Sequence, residues 1–106
     1  MGKPIRTSLV ELLEKPEKYL GREVEVTGII KFIGKSPRVQ TYSENLPRED
    51  YCISILKSGD REILCYGLER LCFDEYNNKK VKIIGFFAKL HNNFIIKAVY
   101  VELLEE

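Results

Sequence analysis

Residues 51–57, YCISILK, and residues 61–67, REILCYG, are two β-prone runs separated by Ser58-Gly59-Asp60. Their pairing decides the fold. Short runs rich in β-branched and aromatic residues, flanking a glycine-bearing segment, predict a hairpin with a three-residue loop. If Lys57 pairs with Arg61, Ile55 opposes Ile63 and Ile53 opposes Cys65, while Ser54 opposes Leu64 and Cys52 opposes Tyr66. The isoleucine-rich face is then the expected core. The opposite face displays Cys52, Ser54, Leu56, Leu64 and Tyr66, which is too apolar for an idle solvated surface. A one-residue slip would bury Tyr66 and expose the isoleucines, at a cost in buried apolar area.

Upstream of the hairpin, Glu23, Glu25 and Thr27 alternate with Val24 and Val26, and apolar residues continue through Ile33. The period of two predicts a long first strand, in which Gly28 marks a bulge or sharp bend. Gly34 to Asp50 reads as a loop, since Ser36, Pro37, Ser43, Asn45 and Pro47 favour turns. Before the strand, Ser8 and Glu11 match a capping box that opens a helix bearing Leu9, Leu12 and Leu13. Pro16 kinks it into a second turn and Gly21 ends it. Downstream, Leu68 to Tyr76 predicts a short helix, and Lys79 to Leu90 pairs with Phe94 to Leu103 through His91-Asn92-Asn93.

Five strands with one helix between the third and fourth is the element order of an OB-fold Greek-key barrel: all-β, with an accessory helix at the N-terminus. Gly28 and Gly85 agree with that, because a small barrel closes only if its long strands bend. At 106 residues and 12.3 kDa, with 44% hydrophobic residues, the chain is expected to form one domain over residues 1–106. No apolar run approaches the ~20 residues of a membrane helix, and the N-terminus lacks a secretory leader, so a soluble cytoplasmic protein is expected. Cys52, Cys65 and Cys72 are odd in number and contain no C-x-x-C, which predicts three reduced thiols in or near the core. Abundant Lys, Glu and Ile give the composition a thermophile-like cast.

The runs Ser8 to Leu13, Tyr19 to Gly28, Lys80 to Gly85 and Phe94 to Val99 together resemble small OB-fold proteins of the single-stranded nucleic-acid-binding, anticodon-binding-like type. The resemblance spans nearly the whole chain through the pattern Val-x-Val-x-Gly. It implies nucleic-acid binding as a family tendency, while OB-folds also serve as protein-interaction subunits.

Composition and spacing remove most catalytic classes. The seven glycines form neither G-x-G-x-x-G nor a phosphate-binding P-loop. The sole histidine, His91, sits in a predicted turn, so a nucleophile pair would have to converge on one exposed loop. His91 and the three cysteines match no closed zinc set, and the adjacent acids Glu49-Asp50 and Asp74-Glu75 diverge too far to cage a cation. No enzymatic activity, no cofactor and no metal is expected. What remains is binding. Net charge is only +1, but Lys79 to Lys97 carries five lysines without an acid, whereas the chain ends on Glu102, Glu105 and Glu106. Single strands bind OB-folds through stacking aromatics and nearby cations. The candidate residues are Lys35, Arg38, Tyr42 and Arg48 after the first strand, Lys89 and His91 near the last hairpin, and Ser54, Leu56, Leu64 and Tyr66 on the hairpin face, with Lys31 and Lys57 in reach of phosphates. The expected partner is single-stranded DNA or RNA. The alternative is a protein-interaction subunit or homodimer that docks through the same apolar face.

Overall fold

The computed structural model describes residues 3–36, 51–68 and 76–104. In chain order the elements are β1 (Ile5–Arg6), α1 (Leu9–Glu14), α2 (Pro16–Tyr19), β2 (Glu23–Ser36), β3 (Tyr51–Ser58), β4 (Arg61–Leu68), β5 (Lys79–Leu90) and β6 (Asn93–Leu103). The strands follow the order β1-β2-β3-β4-β6-β5, and β2 pairs with β5 to close the circle. All contacts in the closed ring are antiparallel except β4 with β6, which run parallel. This is the five-stranded OB-fold barrel, with β1 added alongside β2 as a sixth, two-residue strand.

One strand can serve two neighbours because β2 is 14 residues long. Its first half pairs with β5 from Glu23 to Ile30, and its second half pairs with β3 from Ile29 to Ser36. Where β5 departs, the Asn78 N–H donates to the carbonyl of Ile30 at 2.7 Å, and the Asn77 side-chain oxygen accepts from the Phe32 N–H at 2.9 Å. The edge of β2 is thus satisfied where a strand partner is missing, as buried or half-buried backbone requires. The inward residues Val24, Val26, Ile30, Leu56, Ile63, Val81, Ile83, Phe87 and Ile96 fill the barrel. Phe87 stacks on Phe94 with ring centroids 5.3 Å apart.

The two short helices plug one end, where Leu9, Leu12 and Tyr19 join the barrel cluster. The capping box forms as its residues predict: the Ser8 hydroxyl accepts from the Glu11 N–H at 3.1 Å. Lys15 adopts a non-helical conformation ahead of Pro16 and separates α1 from α2. The Tyr19 hydroxyl donates to the Glu11 carboxylate at 3.0 Å, and this bond, helped by Lys15 and Lys18, holds the Glu11 carboxyl below its usual range. The short helix predicted over Leu68 to Tyr76 lies largely outside the described residues.

Four expectations need correction. The β3–β4 turn has two residues, not three: Ser58 opposes Arg61, and Gly59 has φ +65°, as the first central position of a type II′ turn requires. The bulge on β2 falls at Ile33, between Phe32 and Gly34, rather than at Gly28. The β5–β6 turn likewise has two residues, His91 and Asn92, because Asn93 already pairs with Leu90. Finally, Cys52 is disulfide-bonded and not a thiol. Disulfide formation depends on Cα separation in space, which the count and spacing of cysteines do not report.

Cys65 is a free, buried cysteine whose thiol is pushed up to about 12 by desolvation. It should therefore stay neutral and unreactive in the folded barrel. Mass spectrometry after alkylation at pH 8 should find Cys65 unmodified in native protein and modified in urea; labelling at equal rates in both would refute this. Because its folded-state value exceeds the ordinary 9.0, the unfolded thiol ionises first and stability falls as pH rises above 9.0.

Candidate nucleic-acid interface

The two-residue turn changes which side chains the hairpin presents. Relative to the expected register, Ile55 now opposes Leu64, Ile53 opposes Tyr66 and Leu56 opposes Ile63. Ser54 and Leu56, expected on the ligand face, point into the barrel at 5% and 0% exposure, together with buried Cys52. They can contact no ligand. Ile53 and Ile55, expected in the core, take their place on the outside. Tyr66 and Leu64 keep their expected outward placement, because the shift flips β3 and leaves β4 as it was. The exchange costs less burial than the expected register implies, since Leu56 and Cys52 fill the interior that the isoleucines vacate.

The resulting outer face crosses four strands. β2 contributes Ile29, Lys31 and the bulged Ile33; β3 contributes Ile53, Ile55 and Lys57; β4 contributes Glu62, Leu64 and Tyr66; β6 contributes Lys97. The pairings Ile29–Lys57 and Lys31–Ile55 place the two lysines diagonally on neighbouring strands. Tyr66 is paired with Lys97, and Lys97 is paired on its other side with Phe86, which is 45% exposed. A half-buried tyrosine thus has a lysine as its cross-strand neighbour, on an apolar sheet whose described residues carry three lysines and one acid.

Of the other predicted residues, Lys89 is exposed and its ammonium lies 5.7 Å from the Phe94 ring centroid. His91 is exposed in the two-residue β5–β6 turn, where His91 and Asn92 have φ +51° and +68°. Lys35 lies on β2 opposite Cys52. Arg38, Tyr42 and Arg48 lie outside the described residues. The structure therefore brings together Lys31, Lys57, Leu64 and Tyr66 and sets Lys89 and His91 at the turn beyond. Sequence reasoning missed Ile53 and Ile55 through the register, and Lys97 because only the parallel β4–β6 contact puts it beside Tyr66. Its alternation with Ile96 and Ala98 marked it as outward, but not next to what. Lys82, from the same lysine-rich stretch, is tied to Glu102 at 3.1 Å, and that bond raises its ammonium's pKa.

Among the described residues no group of three or more His, Cys, Asp or Glu side chains is placed to hold a metal ion. No helix among them is long and apolar enough to cross a membrane.

The fold is an OB-fold whose outer strand surface is apolar and lysine-flanked, and solved structures share that fold. It superposes on an OB-fold domain, the second of replication protein A from Methanococcus maripaludis, with TM-score 0.59 at 10% identity, over 82% of this chain and 88% of that one. It also matches the structure of yeast Stn1 and Ten1 with TM-score 0.67 at 11% identity, over 99% of this chain and 65% of the other. A Leishmania major Friedlin protein assigned as an aspartyl-tRNA synthetase matches with TM-score 0.62 at 10% identity; 97% of this chain is covered, but only 21% of that one. At these identities the likeness is one of fold. No protein-family model and no curated protein matches the chain.

Proposed function

We propose that this protein is a non-enzymatic binding module for single-stranded nucleic acid, which lies across the outer face of β2, β3, β4 and β6. The observation that carries this reading is the pairing of Tyr66 with Lys97, flanked by Ile53, Ile55 and Leu64 and by Lys31 and Lys57. A base needs a flat π surface, its phosphate needs a cation within one nucleotide's reach, and the apolar neighbours dehydrate the stack. OB-fold proteins bind oligonucleotides on this sheet face, and replication protein A and a tRNA synthetase are among the fold's relatives here.

With three or four lysines available, affinity should be micromolar or weaker at moderate salt, and log K should fall against log salt with a slope of about −2 to −3 for single strands. Fluorescence anisotropy with labelled DNA and RNA oligomers at two salt concentrations tests this. No binding to either at low salt would remove the reading.

A second reading has its own support. Phe86, Val99 and Tyr100, on β5 and β6, are 45%, 43% and 48% exposed. Exposed apolar side chains on two neighbouring strands suit a protein contact. A sizing column run beside the titration separates the two: a stable dimer that binds no oligonucleotide would favour an interaction subunit.

A further inference from the structure

Where β4 and β6 begin, the same outer face runs up against α1 and forms a cleft of about 280 Å³. Leu13, Ile55, Leu64 and Phe94 are among its walls, and its polar side chains are Glu62 and Asn93. The space is below the roughly 300–1,000 Å³ of pockets that take whole drug-sized ligands, which suits one flat ring better than a chain.

The charges around it are ordered. Arg61, next to Glu62 in sequence, gives its guanidinium to Glu14 at 3.0 Å and lies 3.8 Å from Asp60. The Glu62 carboxylate makes no hydrogen bond or ion pair among the described residues. Lys57 is its cross-strand partner. Lys89 sits over the ring of Phe94, which also lines the cleft. The cleft thus has apolar walls, an exposed carboxylate among them and a lysine next to each of two lining residues.

We propose that this cleft takes one unstacked nucleobase bearing an exocyclic amine, whose N–H donates to the Glu62 carboxylate while Lys57 and Lys89 take the adjoining phosphates. The inference rests on the single-strand-binding reading above and adds base selectivity to it. The charge order selects this occupant. An apolar peptide side chain would leave Glu62 without a donor, and a lysine or arginine side chain would meet Lys57 and Lys89. A uracil or thymine offers the carboxylate only its ring N–H, flanked by two carbonyl oxygens that set acceptor against acceptor. Cytosine and adenine offer an amine donor at that edge, the pairing by which Glu and Asp read bases elsewhere.

The test compares dC10 with dU10, whose bases differ at the 4-position in amine against carbonyl and in the protonation of the neighbouring ring nitrogen. Wild-type protein should bind dC10 about fivefold to tenfold more tightly. Glu62→Ala should close that gap, while dU10 affinity holds or rises slightly because a negative charge has left the phosphate path. Glu62 is exposed, so the melting temperature should not change. Salt-dependent binding of both oligomers with equal affinity by the wild type, or a gap that survives Glu62→Ala, overturns the inference and leaves single-strand binding standing. Binding of neither removes the reading on which it rests, and the inference with it.

Discussion

Gly85→Ala should destabilise the barrel by about 3 kcal/mol or more, at the upper end of what overpacking costs. A Cβ at this position would lie 2.4 Å from the Lys97 carbonyl oxygen, 2.8 Å from the Ala98 Cα and 2.8 Å from the Ile96 Cγ2. Two of these three atoms are backbone, and they belong to β6 beside its bulge, where the register shifts by one residue opposite Ile84 and Gly85. No rotamer change relieves such a clash, so the strands must part. Gly28→Ala should act in the same direction, because its Cβ would lie 2.5 Å from the Lys57 carbonyl oxygen. Gly34 is the control: nothing lies within 4 Å of a Cβ there. Urea unfolding of the three variants checks this, and a Gly85→Ala midpoint equal to that of Gly34→Ala would contradict it.

Tyr66→Ala should weaken binding of a single-stranded oligomer by roughly 1–3 kcal/mol, the usual worth of one stacked base, with the fold intact. Tyr66 is half-exposed on the outer face between Ile53 and Lys97, so its removal opens no cavity in the barrel. Tyr66→Phe keeps the π face and should bind nearly as wild type. Anisotropy titrations and thermal melts of both variants supply the comparison. If Tyr66→Ala keeps full affinity but dissociates a dimer or unfolds, the face is structural and the protein-contact reading takes its place.

The candidate surface was only half legible in the chain. On β4, Ile63 and Cys65 alternate with Leu64 and Tyr66, and their faces came out as expected. On β3, Cys-Ile-Ser-Ile-Leu is apolar at nearly every position, so alternation cannot say which side is buried. Isoleucine outranks cysteine and serine on hydrophobicity, and that ranking misled. The turn decided instead, since Gly59 takes the positive φ of its first central position and a two-residue loop fixes Ser58 opposite Arg61.

What the sequence determined by itself is the order of the principal elements: the capped helix broken at Pro16, the long strand and the two hairpins. These follow from local rules of capping, periodicity and backbone freedom, which act over a few residues and can be read there. What only the tertiary structure decided is which of β3's two apolar faces is buried, where the bulges fall, the pairing of Cys52, and the meeting of Tyr66 with Lys97 and of Glu62 with α1. Each depends on contacts between residues far apart in the chain. Closing a barrel selects among registers whose local energies are nearly equal, so no single segment carries that choice.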